Sequence, residues 1–221
     1  MRTSAFIAIT ALCVSLSGCH KKRTKDDRDV DFGLVRVARD KANLRHDTVG
    51  HDQWQSRATF VLIDAHNDHN EDLLVSLGGY LVDAQGNRVG KVRPESLRIP
   101  AGGVRTFAMI DDEQKVRETA VAGDIEVVGA YVPNYPPLVQ VTDGAAYRYD
   151  SERIVVNGVV RNAVDRPTRV IVLAGFYDAD DRPLTRPFTE MFLPGLGTSN
   201  AQFPGPPGAI KGYIFIGDMV Y

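Results

Sequence analysis

The sequence predicts an all-β protein built from two tandem β-sandwich domains. Short runs rich in Val, Leu and Ile alternate with turns rich in Asp, Asn and Gly, and such turns recur about every 8–12 residues. The same order of features also occurs twice, about 95 residues apart. A repeat of this length indicates two copies of one structural unit, which is why we expect two domains rather than one.

Each copy of the repeat has, in the same order, an apolar run, an Asn, an Asp-Ala turn and a Pro followed by Gly. These features are 60–63, Asn67, Asp83-Ala84 and Pro100-Ala101-Gly102 in the first copy, and 154–156, Asn162, Asp178-Ala179 and Pro194-Gly195 in the second. Each copy then ends in an apolar run that begins with Gly, at 123–132 and at 212–221. The shared order favours a duplication over chance similarity between two strand-rich segments.

The individual elements follow from local patterns. Strands are predicted over 57–65, 73–83 and 168–176, the last being almost continuously apolar, as is typical of a strand inside a sandwich. Asp and Asn favour turns at 83–87 and 178–181 because their side chains bond to nearby backbone amides. One short helix is predicted from Asp111 to just before Gly123. The prolines of 203–208 exclude a helix at the matching place in the second copy.

The first nineteen residues have the pattern of an export signal with a lipidation site. Arg2 precedes an uncharged apolar run at 5–16, which has the length of a secretory signal core and is short for a membrane span. Leu16-Ser17-Gly18-Cys19 then resembles the lipobox of bacterial lipoproteins. This resemblance implies that residues 1–18 are removed and that Cys19 carries the lipid which anchors the chain in the bilayer.

Two alternatives to the lipoprotein remain open. One is an ordinary cleaved signal, which would release a soluble secreted protein, and the other is an uncleaved anchor with the body in the cytoplasm. The charged segment 19–30 is predicted to be a solvated tether, whose basic half could also contact anionic lipid headgroups. His20 follows Cys19 where enteric lipoproteins kept at the inner membrane have Asp, so the resemblance implies the outer membrane, facing the periplasm or the cell surface.

The second copy of the repeat also resembles the FxLYD-type β-sandwich module. The resemblance rests on Val156 to Asn162, Val170 to Val172, Gly175-Phe176-Tyr177-Asp178-Ala179, Leu193-Pro194-Gly195 and Phe203. It implies an immunoglobulin-like sandwich over 151–221, of a kind found in bacterial and archaeal surface proteins, often behind a lipid anchor. The family has no established catalytic residues, so it supplies no site for this chain.

These patterns divide the sequence into a signal peptide at 1–18, a tether at 19–30, a first sandwich at 31–132, a linker at 133–150 and a second sandwich at 151–221. The linker prediction rests on Pro133-Asn134-Tyr135-Pro136-Pro137, because three prolines in five residues favour a stiff, extended connector. The same five residues could instead be a recognition strip for a partner.

Composition and missing motifs narrow the function classes. The 26 Lys and Arg against 28 Asp and Glu leave a net charge of −2, which argues against a nucleic-acid partner. The two cysteines, Cys13 and Cys19, allow no disulfide framework in the body. No nucleophile elbow, phosphate loop, zinc-protease helix or dinucleotide fingerprint occurs. We therefore expect a non-enzymatic binding or structural module without a cofactor, whose partner is an envelope protein or another envelope component.

The segment from Asp64 to Asp72 supports a second hypothesis, a periplasmic metal-binding protein. It holds His66, Asp68 and His69 among four carboxylates in nine residues, and His46 and His51 could supply a distant ligand. A solvated polar turn between two strands is the alternative reading. Trp54 could likewise cap the edge of the core or form a platform for a sugar. A secreted hydrolase is a third possibility, which the missing nucleophile motifs disfavour.

The metal hypothesis has a direct test. If the segment binds metal, changing both His66 and His69 to Ala should remove bound zinc, copper or nickel and lower the melting temperature, because a ligand bound only to the native state stabilises it by mass action. Elemental analysis of the wild-type protein, purified without chelators, measures the bound metal. A wild-type preparation without stoichiometric metal would rule the hypothesis out.

Overall fold

A computed structural model describes residues 27–49, 55–148 and 153–220, with the backbone alone for 218–220. The described residues form fifteen strands and two three-residue 3-10 helices, Phe32–Leu34 and Arg39–Lys41. The strands are β1 (Arg28–Asp29), β2 (Val35–Val37), β3 (Asn43–Val49), β4 (Ser56–Asn67), β5 (Leu73–Val82), β6 (Arg88–Ile99), β7 (Val104–Ile110), β8 (Ala122–Val132), β9 (Val139–Arg148), β10 (Ile154–Asn162), β11 (Thr168–Tyr177), β12 (Pro183–Thr185), β13 (Phe188–Leu193), β14 (Thr198–Pro204) and β15 (Lys211–Val220). The predicted all-β class is confirmed. Neither helix in these ranges has the length or the apolar character to cross a bilayer.

Strands β1 to β8, called here the first strand set, form two antiparallel sheets. One sheet has the order β1-β8-β5-β6, and in the other β4 is central, with β7 on one side and β2 and β3 on the other. Apolar side chains of both sheets, among them Ile63, Leu77, Phe107 and Ile125, are fully buried in one core. Buried side chains from both sheets share this one core, which therefore lies between the two sheets, as in a sandwich.

Strands β9 to β15, called here the second strand set, also form two antiparallel sheets. One has the order β14-β10-β9, and in the other β11 lies between β15 on one side and β12 and β13 on the other. Their core contains Val156, Val172, Phe176 and Leu193, all at most 1% exposed. The predicted strands 57–65, 73–83 and 168–176 correspond to β4, β5 and β11.

The two strand sets share one pairing pattern. In the first, β4 pairs with β3 and β7, and β5 pairs with β6 and β8. In the second, β10 pairs with β9 and β14, and β11 pairs with β15 and with the short strands β12 and β13, which together match β6. The order of features found twice in the sequence therefore corresponds to the same order of strand pairs.

A buried asparagine is the last residue of the equivalent strand in each set, β4 and β10. Asn67, at the end of β4, donates from its amide nitrogen to the backbone oxygens of Glu71 (2.8 Å) and Ile99 (3.0 Å), and its amide oxygen accepts from the backbone of His69 (2.9 Å). Asn162, at the end of β10, has matching bonds, which join it to Arg166 (2.8 Å), Pro194 (3.0 Å) and Val164 (3.1 Å). Both asparagines are fully buried. Each side chain thus fastens a strand end to two separate turns.

The turns form as the sequence predicts. Asp83 Oδ1 accepts from the backbone amides of Gln85 (3.0 Å) and Asn87 (2.8 Å), which closes the β5–β6 connection. Asp178 Oδ1 accepts in the same way from Asp180 (3.0 Å) and Arg182 (2.9 Å) after β11. Gly86 has a φ of 82°, a conformation that costs glycine little.

The predicted helix after Asp111 is wrong, because the structure describes only turns between β7 and β8. The Asp111 side chain is fully buried, and it accepts from the backbone amide of Lys115 (3.1 Å) and from Arg117 Nε (2.8 Å). Gln114 has a φ of 53°, which a right-handed helix does not allow. The acidic residues that suggested a helix start instead fold the chain around a buried ion pair.

Two predicted boundaries differ from the observed strands. Residues 139–148, assigned from the sequence to the linker 133–150, form β9, because Val139 and Val141 pack on the second core while β9 pairs with β10. The end of the predicted tether 19–30 is also attached to the body, since β1 pairs with β8 and Asp27 Oδ1 accepts from Asn134 N (3.1 Å). Residues 133–138 alone separate β8 from β9.

The buried asparagines provide a test of this packing. We expect Asn67→Ala and Asn162→Ala each to lower the free energy of unfolding by about 2–4 kcal/mol, because buried carbonyl oxygens would lose their donors. Urea denaturation followed by circular dichroism measures the change. Asn200→Ala, at an exposed position in β14, is the control and should change stability by less than about 0.5 kcal/mol. Equal effects at all three positions would contradict the role given to Asn67 and Asn162.

Candidate functional site

The second strand set packs against one face of β4. Val61, Ile63 and Ala65 point into the first core, so Leu62 and Asp64 point to the opposite face of the strand. Across the ladder on β7, Ala108 lies opposite Leu62 and Thr106 lies opposite Asp64. The sheet therefore presents an apolar pair, Leu62 and Ala108, and a polar pair, Asp64 and Thr106, to the second strand set.

A polar cluster forms where the two strand sets meet, with Thr106 and Tyr177 buried and the other two members half-buried. It consists of Asp64, Thr106, Tyr177 and Tyr213, called here the Asp64 cluster. Tyr177 Oη donates to Asp64 Oδ1 (3.0 Å), and Thr106 Oγ1 lies 2.6 Å from Tyr177 Oη and 3.0 Å from Tyr213 Oη. The two tyrosine hydroxyls also bond to each other, and their rings stack at a centroid distance of 5.5 Å. The cluster therefore joins β4 and β7 of the first strand set to β11 and β15 of the second.

Burial controls the protonation of this cluster. Burial raises the pKa of Tyr213 to about 12 and raises the pKa of Tyr177 further, so both phenols keep their protons. Burial also raises the pKa of Asp64, and the hydrogen bonds from Thr106 and Tyr177 offset part of that increase. Asp64 is consequently the member of the cluster whose protonated form burial favours, in opposition to its hydrogen bonds.

Further polar contacts surround the Asp64 cluster. Arg186 Nη2 forms a salt bridge with Glu95 Oε1 (2.8 Å), and Arg186 Nη1 donates to the backbone oxygen of Thr106 (3.2 Å). Two side chains of β3 also bind the backbone around β12, since Asn43 Nδ2 lies 2.8 Å from the oxygen of Pro183 and Arg45 Nη1 lies 2.6 Å from that of Leu184. Apolar contacts add to these, because Leu173 and Phe215 of the second set pack with the first core.

A groove of about 560 Å³ begins beside the Asp64 cluster. Its floor is apolar and consists of Phe60 and Leu62 from β4 with Ala108 and Ile110 from β7. The segment 185–190 forms one wall, and Arg45 with residues 47–49 of β3 completes the lining. On this face of the paired strands β4 and β7, the Leu62–Ala108 pair is next to the Asp64–Thr106 pair, two residues away along each strand. The floor of the groove and the Asp64 cluster are therefore neighbours on the same face of β4 and β7.

The residues predicted to bind metal are placed apart. His66 lies on β4, where burial and the charge of Arg36 lower its pKa, whereas Asp68 and His69 lie in the turn that follows. His69 Nδ1 accepts from the backbone amide of Glu71 (3.1 Å), and Asp68 lies 3.8 Å from Arg36 Nε. Within the described ranges, no group of three His, Cys, Asp or Glu side chains could hold one metal ion.

Other predicted residues lie elsewhere or outside the described residues. His46 Nδ1 is 2.7 Å from the hydroxyl Oγ1 of Thr59, its cross-strand neighbour on β4. Cys19, His51 and Trp54 lie outside the described residues. The expectation of lipidation at Cys19 therefore stays a prediction.

Sequence reasoning missed the partners of Asp64. The predicted strand 57–65 includes Asp64, but the metal hypothesis groups it with the polar segment from Asp64 to Asp72. In the structure Asp64 lies within β4, between the fully buried residues Ile63 and Ala65. A carboxyl group inside an otherwise apolar strand is the signal that a polar partner must come from another strand. The sequence does not show that this partner is Tyr177, which is 113 residues away.

Comparisons with known proteins identify no family for this chain. No protein-family model matches it, and no curated protein sequence matches it. Among solved structures, red sea bream transglutaminase aligns with 79% of this chain at 13% sequence identity and a TM-score of 0.25. The chain spans 27% of the length of that protein. A TM-score this low supports no inference about fold or activity.

Proposed function

We propose that the protein is a lipid-anchored component of a bacterial cell envelope that acts as a non-enzymatic binding or structural module. The lipobox-like residues Leu16 to Cys19 support the anchor. Asp27 accepts a hydrogen bond from Asn134 and β1 pairs with β8, so eight residue steps separate Cys19 from the body. At about 3.3–3.6 Å per residue, the tether would hold the body within about 30 Å of the bilayer.

We also propose that the body is two tandem sandwich domains, the second of them FxLYD-like. The shared pairing pattern and the matching bonds of Asn67 and Asn162 support this division. With β9 assigned to the second domain, the domains would cover about 28–132 and 139–220. The polar contacts around the Asp64 cluster would then make the pair a single body rather than two units on a flexible linker.

The groove between the strand sets is the proposed binding surface, and its apolar floor is the observation that carries the proposal. Phe60 and Ile110 line a concave surface together with Phe188, whose side chain remains exposed. Concave apolar surfaces with a few charged groups at the rim are typical of binding sites. Arg45, Asp47 and Glu190 supply charges of both signs here, which suits an extended polypeptide better than a strongly charged ligand.

Site-specific photo-cross-linking tests the groove. Benzoylphenylalanine in place of Phe188 should give a covalent adduct with an envelope protein in intact cells, because Phe188 lines the groove. The same substitution at Phe192 is a matched control, since Phe192 lies on the same strand, is 65% exposed and does not line the groove. Ile110→Glu should abolish the adduct at Phe188 by charging the floor.

The groove proposal fails if the two positions give the same adducts, or if Ile110→Glu leaves the Phe188 adduct unchanged while circular dichroism shows a folded protein. Mass spectrometry of the adduct identifies the partner segment. An adduct with a segment that lacks apolar residues would contradict the proposed match to the floor.

The lipid anchor has its own test. Wild-type protein should fractionate with membranes, partition into detergent and lack residues 1–18, whereas Cys19→Ser should leave a soluble or unprocessed product. A high-salt wash separates lipid anchoring from peripheral binding through the basic tether, because salt screens exposed charges. Wild-type protein found entirely in the soluble fraction, with an unmodified Cys19 thiol, would overturn the anchor and the localisation that depends on it.

A further inference from the structure

The sheet formed by β14, β10 and β9 turns one face away from the second core. Val156, Val160 and Phe203 point into that core, so the alternate residues of these strands point to the opposite face. Ladder pairs place these outward residues in four rows, called here the amide face: Tyr147–Val155–Pro204, Ala145–Asn157–Gln202, Thr142–Val159–Asn200 and Gln140–Arg161–Thr198. The rows extend about 20 Å along the strands and about 10 Å across them.

The amide face is polar but almost uncharged. Seven of its twelve side chains are amides or hydroxyls and four are apolar, so Arg161 is the one charged residue among them. Asp143 lies beside the rows, where the register between β9 and β10 shifts. In the whole chain, by contrast, 24% of the residues are charged. Such a face offers little attraction to a highly charged partner and many hydrogen bonds to a neutral one.

The duplication supplies an internal comparison. β10 and β14 pair as β4 and β7 do, and residues counted back from the asparagine that ends each strand place Asn157 at the position of Leu62. Gln202, the partner of Asn157, likewise matches Ala108, the partner of Leu62. The Leu62–Ala108 pair belongs to the apolar floor of the groove. A sheet with this pairing therefore folds with apolar residues at the two positions, and packing alone does not explain the amides.

The amide pair also contains an unsatisfied acceptor. Asn157 Oδ1 is buried, and it has no hydrogen-bond partner among the residues that the structure describes. Its neighbour Gln202 donates from Nε2 to Tyr147 Oη (3.2 Å), so the Gln202 side chain links two rows. A buried acceptor without a donor is unfavourable, and a ligand hydroxyl that reached Asn157 would supply the donor.

Tyr147 gives the amide face an apolar surface at one end. Its side chain is 41% exposed, and it shares a row with Val155 and Pro204. The flat side of a sugar ring carries C–H groups, which pack on an aromatic ring, whose face is electron-rich. Sugar hydroxyls both donate and accept hydrogen bonds, and a side-chain amide does the same through its NH2 group and its oxygen.

We propose that the amide face binds a neutral oligosaccharide, with one sugar ring against Tyr147 and the following sugars along the amides of Asn157, Gln202 and Asn200. This site is separate from the groove between the strand sets and goes beyond the proposed function. It depends neither on the lipid anchor nor on the partner in the groove. Its failure would therefore leave both of those proposals standing.

Titration calorimetry of the purified wild-type protein tests the site. The neutral probes are chitotetraose, cellotetraose and maltotetraose, and tetragalacturonate is the charged comparison. We expect at least one neutral probe to bind with a Kd below about 1 mM, and tetragalacturonate to bind at least about tenfold more weakly. Ile110→Glu, which charges the floor of the groove, should leave the affinity for the neutral probe unchanged.

Asn157→Val separates a binding role from a structural one. Val suits a strand and removes the unpaired acceptor, so the urea midpoint should not fall below that of wild type, whereas the Kd should rise at least about tenfold. Tyr147→Ala should weaken binding to a similar degree. Phe192→Ala is the matched control, since Phe192 is an exposed aromatic residue (65%) on β13, outside the amide face, and this variant should bind as wild type does.

NMR of the wild-type protein tests the site without any variant. The side-chain amide signals of Asn157, Asn200 and Gln202 should shift as the neutral probe is added, whereas those of Asn43 and Asn67 in the first strand set should not. The proposal is overturned if no neutral probe binds at about 5 mM, if tetragalacturonate binds as tightly, or if the shifts fall in the first strand set. A dimer that Asn157→Val abolishes, in a protein that binds no probe, would instead assign the amide face to a second copy of the chain.

Discussion

A polar group that is removed from water must find hydrogen-bond partners, and this requirement determines where the turns of the protein lie. Asn67 and Asn162 are fully buried at the ends of equivalent strands, and each binds the backbone of two turns that are distant in sequence. An unpaired amide at either position would cost about 1–3 kcal/mol for each lost partner. The strand end, the turn that follows it and the turn near Pro100 or Pro194 must therefore form together, which explains why the same three features recur in order along the sequence.

The same requirement shapes the contact between the strand sets. Asp64 points away from the first core because Ile63 and Ala65 point into it, and strand alternation leaves no other choice. Its partner Tyr177 must then come from another strand. The second strand set is consequently held at one end of the β4 face, where the polar groups are. The apolar residues Phe60 and Leu62 on the same face extend beyond the contact, and the groove is the space that remains above them.

Features that depend on local chemistry could be predicted from the sequence. β4, β5 and β11 follow from runs of Val, Leu and Ile, and the turns after Asp83 and Asp178 follow from side chains that bond to amides two to four residues away. The repeat also guided the pairing, because two copies of one pattern imply two copies of one topology. These inferences need no knowledge of distant contacts.

Features that depend on distant contacts could not be predicted in the same way. The acidic residues after β7 resemble a helix start, but Asp111 is fully buried and forms an ion pair with Arg117. Helix propensity takes no account of such a tertiary contact. β9 contains few large apolar residues and is held in place by β10 and by the second core. The Asp64 cluster unites residues from four strands and both strand sets, so its chemistry exists only once the fold has formed.

Residue 64 is an ionisable carboxyl group in the contact between the two strand sets. Asn67 and Asn162 make their buried hydrogen bonds with side-chain amide groups, which are neutral and do not titrate. An amide at position 64 would accept the same hydrogen bond from Tyr177 without any cost of burying a charge. A carboxylate, however, has two oxygens that can accept from the Tyr177 and Thr106 hydroxyls, whereas an amide has one oxygen and adds an NH2 donor. β4 and β7 carry both the Asp64 cluster and the floor of the groove, so the two strands that join the strand sets also form the proposed binding surface.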